Sequence, residues 1–255
     1  MDDGTGTSAS KAAHLGGTMA MAAVAFVVVG VGGATLDLLA PFRGFLLMVM
    51  GLGMALVALV TSVVGLVATG RGLGGRALAL RGLLLSGAIV GGIALEASRG
   101  GGLPRINDIT TDLDDPPVFV AALEAGPNQG RDMAYPGPAF AEQQQKAYPD
   151  LASLVLQEEP PAAFECVRAA LATMPRMEIT GENRAEGRIE ATEKSALFHF
   201  ADDVVVRIRP FQDGGSRVDV RSKSRDGKGD LGVNARRIRE LFRRVRESAG
   251  TGGGD

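Results

Sequence analysis

The sequence predicts an α+β protein in two parts: three N-terminal transmembrane helices, then a two-layer domain with an antiparallel sheet and helices on one face. Three observations predict it. The chain has 255 residues with 27 basic and 29 acidic side chains, yet only six of these lie between Leu15 and Ser98 (Asp37, Arg43, Arg71, Arg76, Arg81 and Glu96). That charge-poor stretch contains three apolar runs, each near the roughly 20 residues a helix needs to cross a bilayer. Beyond residue 160, segments of helical period flank short runs that alternate polar and apolar residues, the pattern of half-buried strands.

The spans are expected at about 19–36, 44–69 and 78–97, after a polar tail at 1–18. The first lacks the compact basic start of a signal peptide and is followed by two further spans, so it reads as a retained helix. Gly51 with Ala55, and Gly87 with Gly91, form small-xxx-small pairs that let membrane helices approach closely. They serve either packing among the three helices of one chain or association of two chains. Lys11, Arg71, Arg76 and Arg81 on one side face Arg43, Arg99 and Arg105 on the other. Cationic loops favour the cytoplasm. The expectation is therefore an integral protein of the inner (plasma) membrane with its C-terminal domain outside the cytoplasm. Gly70 to Gly75 fits G-x-G-x-x-G, but it follows an apolar span rather than a strand, and without that context the pattern has no phosphate-binding meaning.

A Gly-rich hinge at 99–105 precedes a soluble domain at 106–248, and 249–255 is a flexible tail. The segment Ile106–Glu165 holds 11 acidic and two basic residues and is rich in Pro. It is expected to be extended and loop-rich but tied down by apolar anchors such as Ile106, Ile109 and Phe119. Pro160 and Pro161 suit a helix start. Phe164, Val167, Leu171 and Met174 then recur at helical spacing up to Pro175. Strands are expected at Met177–Thr180, Arg188–Glu193, Leu197–Phe200, Val204–Pro210 and Arg217–Arg221, with Asp202-Asp203 as a break. Their closeness in sequence predicts antiparallel hairpins. A last helix spans about Asn234–Glu247, with Ile238, Leu241, Phe242 and Val245 on one face.

Alternation places Ile189, Val206, Ile208, Val218 and Val220 towards the helices. Arg188, Glu190, Thr192, Arg207, Arg209, Arg217, Asp219 and Arg221 then fall on the other face. From Arg207 to Arg246 there are 13 basic and five acidic residues, so the whole-chain net charge of -2 conceals a basic lobe and an acidic one. Two readings follow. Either the acidic segment folds over the Arg face, with Asp108, Asp112 and Asp115 pairing with arginines, or the face is open and binds a carboxylate or phosphate. The basic side of the last helix is either solvated or rests on anionic lipid. A net acidic domain outside the cytoplasm does not fit nucleic acid.

Cys166 is the only cysteine and His14 and His199 the only histidines, which excludes an internal disulfide, a thiolate cluster and a multi-histidine metal site. No metal or cofactor is expected, and Cys166 reads as a small hydrophobe.

INDITTDLDDPPVF (Ile106–Phe119), Tyr148-Pro-Asp150, RIEAT from Arg188, FHFADDVVVRIRP and RVDVRSKSRDGKGDLGVNARRI together resemble the family known as domain of unknown function 1499, over about 140 residues. Members are often joined to secretory signals, lipid anchors or membrane spans, which implies an exported domain, and the family carries no established activity. Its polar motif residues map onto Asn107, Asp108, Thr111, Asp112, Glu190, Thr192, Asp202, Asp203, Arg207, Asp219, Arg221, Ser222, Ser224, Arg225, Gly227, Asp230, Asn234 and Arg237. The candidate ligand-binding set is Asp108, Thr111, Asp112, Glu190, Asp203, Arg207, Asp219, Arg221, Ser222, Arg225, Asp230 and Asn234. In the Gly-containing loop from Ser222, Arg225 is placed to hold an anion at the start of the last helix, whereas Asp230 or Asn234 more simply caps it, with Asn234 the preferred of the two. Three functions are expected in turn: binding of an anionic small molecule, lipid head group or membrane-protein partner through the Arg face; a cell-envelope enzyme using Glu190 and Asp219 as paired carboxylates; and a structural subunit of a membrane assembly.

Overall fold

A computed structural model describes residues 8, 10–99 and 102–251. Residues 1–7 and 9 of the expected tail, Gly100 and Gly101 of the hinge, and the last four residues lie outside it. Two compact units divide the chain.

The first unit holds α1 (Lys11–Thr35), α2 (Pro41–Gly70) and α3 (Arg76–Arg99). Each is long and apolar enough to cross a membrane. Helix α1 starts well before the expected Met19, because the Ser10 hydroxyl accepts from the Ala13 N–H at 3.3 Å and caps it. Pro41 opens α2, where its missing N–H costs nothing. The buried residues of α1 are all Gly and Ala, and those of α2 are Gly, Ala and Ser62. Large side chains such as Val28, Val60 and Leu84 point outward. This arrangement suits helices surrounded by lipid, where attraction comes from close backbone packing rather than from hiding large apolar groups. A Cβ on Gly30 would stand 2.5 Å from the Gly44 carbonyl oxygen, and a Cβ on Gly44 equally close to that of Gly30. Gly51 and Ala55 are buried in the same packing. Gly87 and Gly91 differ, since a Cβ on either would meet nothing within 4 Å. The Gly70–Gly75 loop joins α2 to α3 and pairs its backbone with Ser8 and Ser10, consistent with a turn rather than a phosphate loop.

The second unit is a six-stranded antiparallel sheet built from β1 (Asp108–Thr110), β2 (Leu154–Leu156), β3 (Met177–Asn183), β4 (Arg188–Lys194), β5 (Ala201–Pro210) and β6 (Ser216–Ser224). The order is β1-β6-β5-β4-β3, and β2 also pairs with β6, beside the far end of that strand from β1. Helices α6 (Pro160–Thr173) and α7 (Val233–Thr251) cover one face. Between them and the sheet lie Phe164, Val167 and Leu171, then Ile238, Leu241 and Val245, against Ile189, Val204, Val206, Ile208, Val218 and Val220. Each such large side chain contributes about 1.5–3 kcal/mol on burial. The acidic segment supplies β1, β2 and two further helices, α4 (Ala121–Glu124) and α5 (Pro138–Ala147), so it is more ordered than its composition suggests. Gln144 of α5 ties it down, accepting from the Thr110 N–H at 3.0 Å and donating to the Thr110 carbonyl at 2.6 Å.

Two local expectations are corrected. Leu197–Phe200 forms a turn rather than a strand, because His199 at φ +57° is left-handed and cannot continue extended backbone. Asp202 and Asp203 continue β5 instead of breaking it, because Arg237 and Arg225 neutralise their carboxylates. Gly187 makes the β3–β4 turn at φ +61°, where a Cβ would run into the Ile208 carbonyl oxygen.

Candidate functional site

Strand register decides which side chains meet. On the sheet face away from α6 and α7, β5 carries Asp203, Val205, Arg207 and Arg209, and β6 carries Arg217, Asp219, Arg221 and Lys223. Pairing sets Arg207 opposite Asp219, but Arg209 opposite Arg217 and Arg188 opposite Arg207. Like charges directly across strands repel. The face therefore needs counter-ions, and the acidic segment supplies them.

At one end, three guanidinium groups converge on Asp112 Oδ2: Arg217 at 2.8 Å, Arg207 at 3.1 Å and Arg209 at 3.3 Å. Arg207 and Arg209 also reach Asp219 Oδ2 at 3.2 and 3.3 Å, and the Ser153 hydroxyl donates to its Oδ1 at 2.5 Å. Asp115 Oδ2 receives Nη1 of both Arg207 and Arg209 at 3.0 Å. The carboxylates differ in depth: Asp219 is 0% exposed, Asp112 7% and Asp115 64%.

Further along the sheet, Arg221 is 2% exposed and grips Asp108 with Nε at 2.8 Å and Nη2 at 2.7 Å. Lys223 Nζ adds a third bond to Asp108 at 2.9 Å. The Arg221 guanidinium also lies 4.9 Å from the Phe119 ring centre and 5.5 Å from that of Tyr135. Burial, aided by the Asp108 charge and opposed by Arg221, pushes the Tyr135 phenol up to about 12. Phe119, Ala122, Met133 and Val205 make a small apolar cluster on this otherwise polar face.

Arg225 clasps Asp203 at 2.9 and 2.6 Å, and this hydrogen bonding raises the guanidinium above its ordinary range. Thr192 and Asn128 complete the Asp203 shell at 3.0 and 2.8 Å. Glu190 accepts the N–H groups of Val120, Ala121 and Ala122, each at 2.9 Å, and so fixes the start of α4. Thr111 bonds both ways with the Val220 backbone at 2.9 Å, extending the β1 pairing by one residue.

The twelve sequence candidates are thus divided between two sides of the sheet. Ser222 faces the helices and meets Asn234 of α7, and the two join Arg237, Asp202 and Glu193 in a buried polar cluster. Desolvation pulls the Arg237 pKa down, but its two carboxylates outweigh it and the net shift is upward. The helix cap is Asp230, which accepts from Gly232 N and Asn234 N at 2.8 Å, and not Asn234 itself. Arg225 is directed to Asp203, so it does not serve the start of α7. Glu190 and Asp219 lie on β4 and β6 with β5 between them, and each is held by the partners described. Among the described residues no group of three His, Cys, Asp or Glu side chains is placed to hold a metal ion. Arg209 and Arg217 are absent from the candidate set. Their shared outward parity with Arg207 and Asp219 is the signal that marks them.

Residues 108–245 match the model of a family described as protein of unknown function (DUF1499). The chain belongs to this family. The matched span takes in the sheet, α6, most of α7 and the residues of the Arg face. Among solved structures, the di-domain ARO/CYC StfQ from the steffimycin biosynthetic pathway is similar at 17% identity and a TM-score of 0.31, over 38% of this chain. The chain spans 43% of the length of that relative. TTHA0849 from Thermus thermophilus is similar at 10% identity and a TM-score of 0.27, over 40% of this chain and 97% of that one. Comparison with curated proteins gives no match.

Proposed function

We propose that this chain is a membrane-tethered binding module that takes an anionic group at the outer rim of its Arg face, between Arg207 and Arg209. One contrast supports the reading. Asp112 and Asp219 are buried and hold the guanidinium groups in fixed positions. Asp115, the third counter-ion, sits 64% exposed on a loop while holding both arginines at 3.0 Å. The Asp115–Arg209 pair is exposed at both ends, 64% and 40%, and such a pair is worth about 0–1 kcal/mol, so a carboxylate or phosphate from solution exchanges with Asp115 on Arg209 at little cost. The inner carboxylates keep the arginine forks preorganised for the incoming anion. The three apolar helices tether the module to a bilayer, and the loop charge bias favours the domain lying outside the cytoplasm.

The test is an anion titration of the full chain in detergent at low salt, followed by thermal shift with acetate, citrate and inorganic phosphate. Asp115→Asn is expected to strengthen anion binding and Arg209→Gln to remove it. If neither the natural chain nor Asp115→Asn responds to any of these anions, the reading is wrong. A second reading, a subunit of a larger membrane assembly, draws on the open face of α3 at Gly87, Gly91 and Gly92. Cross-linking of the chain in native membranes separates it from the first.

A further inference from the structure

One end of the sheet carries the segment that follows the membrane helices. Register sets the start of β1, the start of β3, the end of β4, the start of β5 and the end of β6 at that end, since Asp108 pairs with Lys223, Met177 with Glu193, Lys194 with Ala201 and Asp202 with Ser224. The β6–α7 loop is fastened there to residues 103–107. Asn107 Nδ2 donates to the Gly227 carbonyl at 2.7 Å, the Asp230 N–H donates to the Ile106 carbonyl at 3.2 Å, and a Cβ on Gly232 would stand 2.9 Å from Leu103. Helix α3 ends at Arg99. Extended chain covers about 3.6 Å per residue, so the stretch from Arg99 to Leu103 reaches no more than roughly 14 Å. The headgroup layer outside the hydrocarbon core is about 5–8 Å deep on each side. A bilayer crossed by α3 therefore keeps this end of the sheet within reach of its surface.

The same end is basic. Arg105, Arg176, Lys194, Lys228 and Arg236 are exposed, and among the described residues none of them pairs with a carboxylate. The acidic residues of the β6–α7 loop are Asp226 and Asp230, and Asp230 is turned to the start of α7. At the opposite end of the sheet the sign reverses: the connections there hold Glu158, Glu159, Glu186 and Asp213, and Arg184 is paired with Glu165. Along the side of α7, Arg239 is held by Asp150, and Arg243 and Arg244 by Glu240. Unpaired positive charge is thus gathered at the tethered end rather than along the helix. Leu231 stands 58% exposed in the same loop as Lys228, and its carbonyl accepts from Arg236 Nη1 at 3.0 Å. A lone exposed leucine is ordinary on a soluble surface. Beside a membrane tether and among cations, it has the make-up of an interfacial anchor.

Independently of the rim reading, we infer that this end of the sheet docks on the anionic phospholipid headgroups of the bilayer that the chain's own helices cross. Leu231 enters the interface, and Arg105, Arg176, Lys194, Lys228 and Arg236 meet headgroup phosphates.

The test places the full chain in nanodiscs of phosphatidylcholine, alone or mixed with phosphatidylglycerol, with and without spin-labelled quencher lipid. A nitrobenzoxadiazole fluorophore is attached at Leu231→Cys in a Cys166→Ala background, and at Asp213→Cys on the opposite end as reference. Quenching by the spin-labelled lipid is expected at position 231 and not at 213, more strongly in the anionic discs than in the neutral ones. Arg105→Glu with Lys228→Glu should weaken docking, by roughly fivefold in the equilibrium for each cation lost from an anionic surface. Raising the salt concentration around the chain without these two reversals should act in the same direction, because exposed charges are screened. Equal quenching at 231 and 213 overturns the inference. So does quenching at 231 that is indifferent to lipid charge, to salt and to the two reversals. Blue-shifted emission at 231 that spin-labelled lipid does not quench would mean that protein covers this end, and overturns it as well.

Discussion

Replacing Asp108 by Asn tests the claim that charge pairing holds the acidic segment onto the sheet. Asp108 is fully buried and binds two cations, Arg221 through a bidentate pair and Lys223 at 2.9 Å. The amide keeps the shape of the carboxylate and removes its charge. Arg221, 2% exposed, is left with the carbonyls of Pro117 and Met133 and two aromatic rings, none of which carries a compensating charge. Stripping one partner from a buried ion pair costs about 3–5 kcal/mol. A domain of this size loses roughly 2–4 °C of Tm per kcal/mol, so a fall of about 6–20 °C is expected. Thermal denaturation of the full chain in detergent, followed by circular dichroism, measures it. Arg243→Gln is the control: its partners Glu240 and Glu247 are on the exposed side of α7, where solvent screening leaves such pairs with little effect on stability. Should Asp108→Asn lower Tm no more than Arg243→Gln, the acidic segment is held by something other than this pair, and the charge argument for the face fails.

Three further predictions are independent of the first. The folded Tyr135 phenol keeps its proton up to about 12, whereas in the unfolded chain it loses it near 10, so its contribution is full below pH 10 and is lost as pH rises from 10 to 12; phenolate absorbance in a Tyr148→Phe background should show no ionisation near pH 10 in the folded chain, and a normal titration there would contradict the burial argument. Gly187→Ala should cost about 1–3 kcal/mol in chemical denaturation, because a Cβ strikes the Ile208 carbonyl oxygen at a left-handed backbone position; an unchanged midpoint would mean the turn relaxes freely. Gly44→Leu should separate α1 from α2 and lower stability in detergent, while Gly92→Leu on the open side of α3 should be tolerated, and equal effects would count against the close-packed α1–α2 contact.

Much of this molecule is legible in advance because it follows from local pattern. The three apolar runs could only be long helices, and the alternation of Val206, Ile208, Val218 and Val220 assigns one sheet face to the core and the other to arginines. Patterns mislead where the decisive partner is distant. Leu197–Phe200 alternates like a strand and is a turn, and Asp202-Asp203 resembles a strand break until Arg237 and Arg225 arrive from elsewhere in the chain. Asp230 and Asn234 both have the residue type of a cap, and it is Asp230 that the backbone places within reach of the free N–H groups.

The sequence by itself determined that the chain divides into an apolar and a charged part, that the charged part is α+β, and that opposite charges are stored in separate stretches. Only the tertiary structure decided that the two stretches meet, that Asp108, Asp112 and Asp219 are buried against the arginines while Asp115 stays in solvent, and that Ser222 and Asn234 fall on the opposite side of the sheet. Side-chain parity along a strand is a local property, readable from one residue to the next. Which carboxylate reaches which guanidinium depends on how a loop of some hundred intervening residues closes, and no local period encodes that distance.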